Sequence, residues 1–267
     1  TALPGRTIKE NELFLYEGVW NHFDFHSSFS SQDKVKCIKN ISETLSESSK
    51  SLKTADYIFV SFGTAYAYFL KGSGKIVANC HKQVPTTFDR KLMSVNEITE
   101  NWSYLINKIS QTNPKAKIIV TVSPIRHWID GATNNQFSKA TLFLAIKELA
   151  ERNPDKVFYF PAFEILQDEL RDYRFYASDM LHPSETAIEY IWKKFGEAFF
   201  DKNTLEINKR IQKIKRACNH RPFNSETTEY VSFCKKMISE IQSILTHHKN
   251  LDFTKELSYL NSAVQKQ

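Results

Sequence analysis

The sequence contains no apolar run of about 18 residues, the length that a membrane-spanning helix requires. Its first residues also lack a basic segment followed by an apolar core, so no secretory signal is visible. No initiator methionine precedes Thr1, and we therefore expect further sequence upstream. These absences predict a cytoplasmic protein without a membrane partner.

Cysteine and clustered metal ligands are also scarce. The chain has four cysteines, none of them in a Cys-x-x-Cys spacing: Cys37, Cys80, Cys218 and Cys234. In a chain of 267 residues, such scattered cysteines are typical of reduced thiols and not of a disulfide framework. His22 and His26 stand four residues apart, but no third ligand follows nearby, as a zinc site needs. We predict neither a metal nor a cofactor.

Positive charge is in excess, but it is spread along the chain. The formal net charge is +6, and the densest cluster of basic residues lies between Lys209 and Arg216. Acidic residues are interleaved elsewhere, and no motif of a DNA- or RNA-binding module is present. We interpret the cluster as a solvated helix face and predict no nucleic-acid partner.

Three short apolar runs are typical of buried strands: residues 57–60, 117–122 and 157–160. Each run is rich in β-branched or aromatic residues and follows a charged break or one containing Pro or Asn. The runs are apolar almost without interruption, as expected of parallel strands that are covered on both faces.

Helical patterns lie between these runs. Ser94 and Glu97 form a capping box that opens an amphipathic helix. A second helix is predicted from Lys139 to Arg152, with Ser138 at its start, and a third opens at Pro183-Ser184. The alternation of strand and helix predicts an α/β protein with a mainly parallel sheet in a three-layer arrangement.

The length suits one α/β domain with an appendage. We assign residues 1–200 to the α/β domain and residues 201–267 to a helical C-terminal extension that packs on it. The first thirty residues are dense in aromatic side chains and are predicted to form an irregular packed arm.

Glycine or polar segments follow the three predicted strands along the chain. They are Gly63-Thr64, the loop 123–127 and the Asp179–His182 turn. Ligands of open α/β sheets bind outside the carboxyl ends of the strands, so we expect these segments to form a site.

The Asp179–His182 turn carries the clearest chemical pattern. An acid three residues ahead of a histidine lets the carboxylate reach the imidazole Nδ1–H. That contact fixes the tautomer and leaves Nε2 free to act as a base. The spacing is common by itself and gains meaning from the blocks around it.

Several blocks occur in order along the chain: residues 20–27, 56–65, 78–82 (Ala-Asn-Cys-His-Lys), 123–131, 179–183 (Asp-Met-Leu-His-Pro) and 220–223. Together they resemble the GSCFA family, within the broader SGNH/GDSL hydrolases. The resemblance implies a flavodoxin-like SGNH fold and serine-dependent hydrolysis of a small-molecule or glycan ester. His182 matches the catalytic base and Asp179 its orienting partner.

The chain departs from the family pattern at two places. Gly63-Thr64 sits where typical members carry Gly-x-Asn-Asp, and Ala65 replaces the oxyanion asparagine. Asn79, in one block with His81, is the nearest amide that could substitute, with the Gly63 backbone nearby. The Gly-Ser-Cys-Phe-Ala stretch that names the family is absent, so we expect the nucleophilic serine, with the first strand, upstream of Thr1.

Other residues have competing interpretations. Arg126 and His127 are placed to bind a substrate carboxylate or phosphate, and an internal ion pair with Asp130 is the alternative. Ser61 and Ser123 are conceivable nucleophiles, but neither has the Gly-x-Ser-x-Gly context of a strained elbow.

The departures also support a second hypothesis, a non-catalytic binding domain that retains the SGNH fold with a decayed site. The hydrolase hypothesis makes two predictions about the geometry of the site. The Asp179 carboxylate is predicted to lie within about 3.5 Å of the His182 ring. Gly63, Asn79 and the loop 123–127 are predicted to converge on the same cleft.

Overall fold

The computed structural model describes residues 6–219 and 227–265. Two compact units divide the chain, Thr1–Ile191 and Trp192–Gln267, and each is described by itself. The segment 220–223, which contributes to the family resemblance, lies outside the described residues.

The eight described strands all lie in the first unit: β1 (Phe14–Tyr16), β2 (Val19–Asn21), β3 (Tyr57–Phe62), β4 (Tyr66–Leu70), β5 (Ile76–Val77), β6 (Phe88–Leu92), β7 (Lys117–Val122) and β8 (Val157–Tyr159). Its helices are α1 (Lys34–Thr54), α2 (Val95–Thr112), α3 (Gly131–Arg152) and α4 (Ala162–Glu164), which continues as a π-helical turn, Ile165–Glu169. Helix α5 (Glu185–Phe199) crosses the boundary between the units. The second unit adds α6 (Lys202–Asn219), α7 (Thr228–His247) and α8 (Thr254–Val264).

The three predicted strands form one parallel sheet in the order β3-β7-β8. β3 and β7 pair residue by residue from Tyr57 opposite Lys117 to Phe62 opposite Val122. β7 is central and its side chains are largely buried, as its apolar sequence predicts. The prediction that every strand is covered on both faces is wrong for β3, because Tyr57 is 53% exposed at this edge of the sheet.

Helices α2 and α3 pack together and cover the sheet with apolar side chains. The buried core includes Ile106, Leu142, Ile146, Ile118 and Val120. The predicted capping box opens α2: the Ser94 hydroxyl accepts the Glu97 N–H, and the Glu97 carboxylate accepts the Ser94 N–H. That prediction is confirmed.

Helix α3 begins at Gly131, so the predicted start at Ser138 is wrong by seven residues. The extra turns are polar in sequence, and intrinsic propensity gives little sign of them. Asn135 in these turns and Ser138 at the predicted start are buried, and both bond to the backbone of neighbouring loops. Tertiary contacts therefore extend the helix beyond its sequence pattern.

A second sheet, antiparallel and in the order β5-β4-β6, was not predicted. The N-terminal arm, residues 6–31, is also more regular than expected, because β1 and β2 form a hairpin. Glu17 and Gly18 have positive φ at its turn, where glycine is strain-free. The parallel sheet is confirmed, and the α/β class with it, but the strands are not mainly parallel.

The second unit is helical, as predicted for the C-terminal part of the chain. α6, α7 and α8 enclose an apolar cluster that includes Ile214, Met237, Ile241, Ile244 and Leu260. Arg210 of the basic cluster pairs with Glu240 at 2.6 Å. None of the described helices is both long and apolar enough to cross a membrane.

Candidate functional site

Asp179 and His182 lie together on a tight turn before α5. Met180 has a positive φ of 61°, which reverses the chain between them. One Asp179 oxygen accepts the backbone N–H groups of Leu181 and His182, each at 2.9 Å. The other lies 2.5 Å from His182 Nδ1. The predicted contact within about 3.5 Å is confirmed.

These hydrogen bonds define the protonation of the pair. The two backbone N–H groups, followed by the His182 ring, lower the pKa of Asp179 to about 2. The carboxylate is therefore ionised at neutral pH and can only accept hydrogen bonds. Nδ1 of His182 must donate to it, so the neutral ring keeps its lone pair on Nε2. The His182 side chain is 59% exposed.

A carboxyl-carbon NMR titration should find the Asp179 pKa at about 2, against an ordinary value of 3.8. The sign follows from a lowered pKa: the turn gains stability from the carboxylate above the ordinary value and loses it as the pH falls through about 2. His182→Ala removes the ring contact and keeps both backbone donors. In this variant the pKa should rise yet stay below 3.8. A wild-type value at or above 3.8 contradicts the geometry.

A second group of site residues surrounds the carboxyl ends of β3 and β7. The Lys139 ammonium donates to the carbonyl oxygens of Gly63, at 2.7 Å, and Ser123, at 2.6 Å. Lys139 is only 1% exposed, and burial lowers its pKa to about 8. The predicted segments after β3 and β7 are thus joined through one buried cation.

Two further side chains of α3 hold the same loops. The Ser138 hydroxyl accepts the N–H of Ala65 at 2.7 Å and lies 3.0 Å from the Thr64 hydroxyl. Asn135 accepts the N–H of His127 at 3.0 Å. Asn135, Ser138 and Lys139 were missed from the sequence. Their i, i+3, i+4 spacing of polar residues on one helix face was the available signal.

His127 lies against Gly63. A β-carbon built on Gly63 would stand 3.1 Å from His127 Nε2, so a larger residue here would require the His127 ring to shift by a few tenths of an ångström. Burial and then the Lys139 charge lower the pKa of His127. The histidine is therefore neutral at neutral pH.

Asp130 does not pair with Arg126, which was one alternative for this loop. It forms a bidentate ion pair with Arg90 of β6, and the guanidinium lies 4.4 Å from the Tyr66 ring centroid. The carboxylate is 1% exposed and needs this partner. Asp130 is thus engaged with the antiparallel sheet.

Arg126 instead contacts residues that lead to the Asp179–His182 turn. Its guanidinium donates to the side-chain oxygen Oε1 of Gln167 at 3.4 Å, and the side-chain Nε2 of Gln167 donates to the Tyr176 hydroxyl at 3.1 Å. Tyr176 forms an isolated β-bridge with Pro183, next to His182. This chain of contacts links the loop after β7 to the Asp179–His182 turn.

Asn79 and His81 contact the N-terminal arm. The Asn79 side chain accepts the His81 N–H at 2.8 Å, and its own backbone N–H bonds to the Phe23 carbonyl at 3.0 Å. His81 Nε2 lies 2.9 Å from the His22 carbonyl. Burial raises the pKa of the Cys80 thiol, as in a structural cysteine. That Asn79 and His81 share a cleft with Gly63 stays a prediction.

Within the described residues, no group of three or more His, Cys, Asp or Glu side chains could hold a metal ion. The chemistry that the Asp179–His182 pair supports is proton transfer at the free Nε2 of His182.

Comparison with known proteins identifies the family. The GSCFA family profile matches residues 1–195, and the profile of the GSCFA domain protein, C-terminal domain, matches residues 211–266. The chain belongs to the GSCFA family. No curated protein matches the sequence. No solved structure matches it either.

Proposed function

We propose that this protein is an SGNH-type serine hydrolase that cleaves an acyl or carbohydrate ester. His182 is the general base, and Asp179 orients it. The observation that carries the proposal is the 2.5 Å contact between Asp179 and His182 Nδ1, which fixes the tautomer that a base requires. Membership of the GSCFA family agrees with this chemistry.

The proposed reaction has two half-steps. His182 Nε2 takes the proton of a serine hydroxyl while the serine oxygen attacks the ester carbonyl. The imidazolium then gives that proton to the departing alcohol oxygen, which leaves an acyl-serine. Water attacks the acyl-serine by the same proton route and releases the acid. The exposed face of His182 suits both transfers.

The serine is expected upstream of Thr1, as the family resemblance implies. β3 is an edge strand of the parallel sheet within the described residues. An edge strand offers backbone groups to which a further strand can pair. A strand added there would end beside Gly63, at the carboxyl edge where Ser123 and His127 also lie.

The oxyanion of the tetrahedral intermediate needs hydrogen-bond donors. We assign this role to the Gly63 N–H, which has no acceptor among the described residues. Ala65 cannot contribute, because its N–H is used by Ser138. Asn79 remains the proposed side-chain donor, and Thr64, Arg126 and His127 the substrate-binding groups.

The occupied Ala65 N–H also supports the second candidate, a binding domain of the same fold without catalysis. Where typical hydrolases have an asparagine, this chain has neither a side-chain amide nor a free backbone donor at the position. Such a domain would bind a glycan or acyl ligand and leave it intact.

Labelling with a fluorophosphonate probe separates the two functions. The full-length protein, including the sequence upstream of Thr1, should react, and mass spectrometry should place the label on an upstream serine. His182→Ala should label at least about a hundredfold more slowly. Absence of labelling in the folded wild type, with glycan or acyl binding retained, supports the binding domain and overturns the hydrolase.

A further inference from the structure

Lys139 is a buried cation without a carboxylate partner. Its side chain is 1% exposed, and none of the ion pairs between described residues includes it. Two carbonyl oxygens accept from its ammonium, at 2.7 and 2.6 Å, and the Phe163 ring centroid lies 6.0 Å away. Burying an ammonium in this way costs free energy that an apolar side chain of the same length would not.

The positions of the two acceptors show which parts of the chain the Lys139 ammonium holds together. They are the carbonyl oxygens of Gly63 and Ser123, the first residues after the paired strands β3 and β7. One ammonium therefore sets the spacing of the two loops at which the proposed site is built. Charged donors make shorter and stronger hydrogen bonds than neutral ones, so this link is stiff.

We propose that Lys139 is a positioning residue of the candidate site, whose ammonium fixes the Gly63 and Ser123 loops and adds positive charge beside the His127 ring. The two effects act on one place, because Gly63 lies in contact range of both Lys139 and His127. The effect on hydrolysis rests on the proposed function; the effect on His127 does not.

The positive charge of Lys139 has the sign that would favour ester hydrolysis. A fixed positive charge behind Gly63 favours negative charge that develops on the substrate oxygen in front of it. The same charge disfavours a proton on His127, on which Asp130 acts in the opposite sense and Arg90 in the same sense. Burial is the larger cause of the lowered pKa of His127, and the Lys139 charge adds to it.

Lys139→Met tests the proposal, since methionine retains the length of the side chain and removes the charge. Lys147→Met is the matched control, because Lys147 is an exposed residue of the same helix, paired with Glu151. NMR titration of the His127 ring is the first readout. Lys139→Met should raise the pKa of His127, and Lys139→Arg should bring it back toward the wild-type value.

Kinetics of the full-length protein with a p-nitrophenyl ester give the second readout. Lys139→Met should lower kcat at least about tenfold with KM within about twofold, while Lys147→Met leaves both unchanged. If wild type has no turnover, the hydrolase proposal fails and the His127 titration alone decides the role of Lys139. An unchanged His127 titration in folded Lys139→Met overturns the proposal.

Should Lys139→Met fail to fold, the wild type still decides. Lysine ammonium NMR below pH 7 should find one NH₃⁺ group whose protons exchange slowly with water, because Lys139 is buried and donates to the Gly63 and Ser123 carbonyls. Finding only lysine ammonium groups that exchange as fast as exposed ones overturns the proposal.

Discussion

Replacing His182 with alanine in the full-length protein should lower kcat for a short-chain p-nitrophenyl ester by about a hundredfold or more. General-base catalysis by a positioned side chain contributes about 10² to 10⁴ in rate, and alanine has no group to accept the serine proton. KM should change little, because the ring is proposed to act on the proton and not to hold the substrate. Steady-state kinetics on the purified variant measure both constants.

The control is His247→Ala, an exposed histidine in α7 of the second unit. It should retain the wild-type kcat. Because 59% of the His182 side chain is exposed, its removal should leave the thermal unfolding curve in place. Added imidazole, after correction for its own background hydrolysis, should restore part of the His182→Ala rate. Equal rates in wild type and His182→Ala exclude the role that we assign to His182.

The parts of the fold that could be predicted are those encoded within one segment. Continuous apolar runs identified β3, β7 and β8, because a run of β-branched and aromatic residues can be recognised without pairing information. The Ser94 capping box and the Asp179–His182 contact were predictable for the same reason. Each joins residues three apart through geometry that the spacing alone determines.

The parts that could not be predicted depend on distant segments. Asn135 and Ser138 are helical and buried because loops that end at His127 and Ala65 supply their partners. From the sequence alone, Lys139 cannot be distinguished from a lysine on a helix surface. Its two acceptors, the Gly63 and Ser123 carbonyl oxygens, lie in segments far from it along the chain. The antiparallel sheet around β4 was missed because the pairing partners of β4 come from other segments of the chain.

Asp179→Asn should be almost as damaging as the loss of His182, although it leaves the turn intact. The amide oxygen of asparagine can keep the two backbone N–H bonds that Leu181 and His182 donate. Its NH₂ group then faces Nδ1, where wild type has a carboxylate oxygen at 2.5 Å. An NH₂ group donates, so Nδ1 must accept and the ring proton moves to Nε2.

With a proton on Nε2, the ring can no longer accept the serine proton, although the imidazole itself is still present. We expect kcat to fall by about 10² to 10⁴ with little change in KM, as when the wrong histidine tautomer is imposed on a catalytic triad. Ring-nitrogen NMR of His182 should find the proton on Nε2 in Asp179→Asn and on Nδ1 in wild type. This spectroscopic change separates an orienting role from a purely structural one, because it requires no turnover.

Asp172→Asn is the matched control. Asp172 also caps a turn, accepting the Arg174 N–H at 2.9 Å, but no histidine ring contacts its carboxylate. It should retain wild-type kcat and the wild-type His182 tautomer. Wild-type kcat in Asp179→Asn, together with an unchanged tautomer, would mean that the carboxylate holds only the turn. The charge at Asp179 would then have no part in setting the base, and His182 would need another group to orient it.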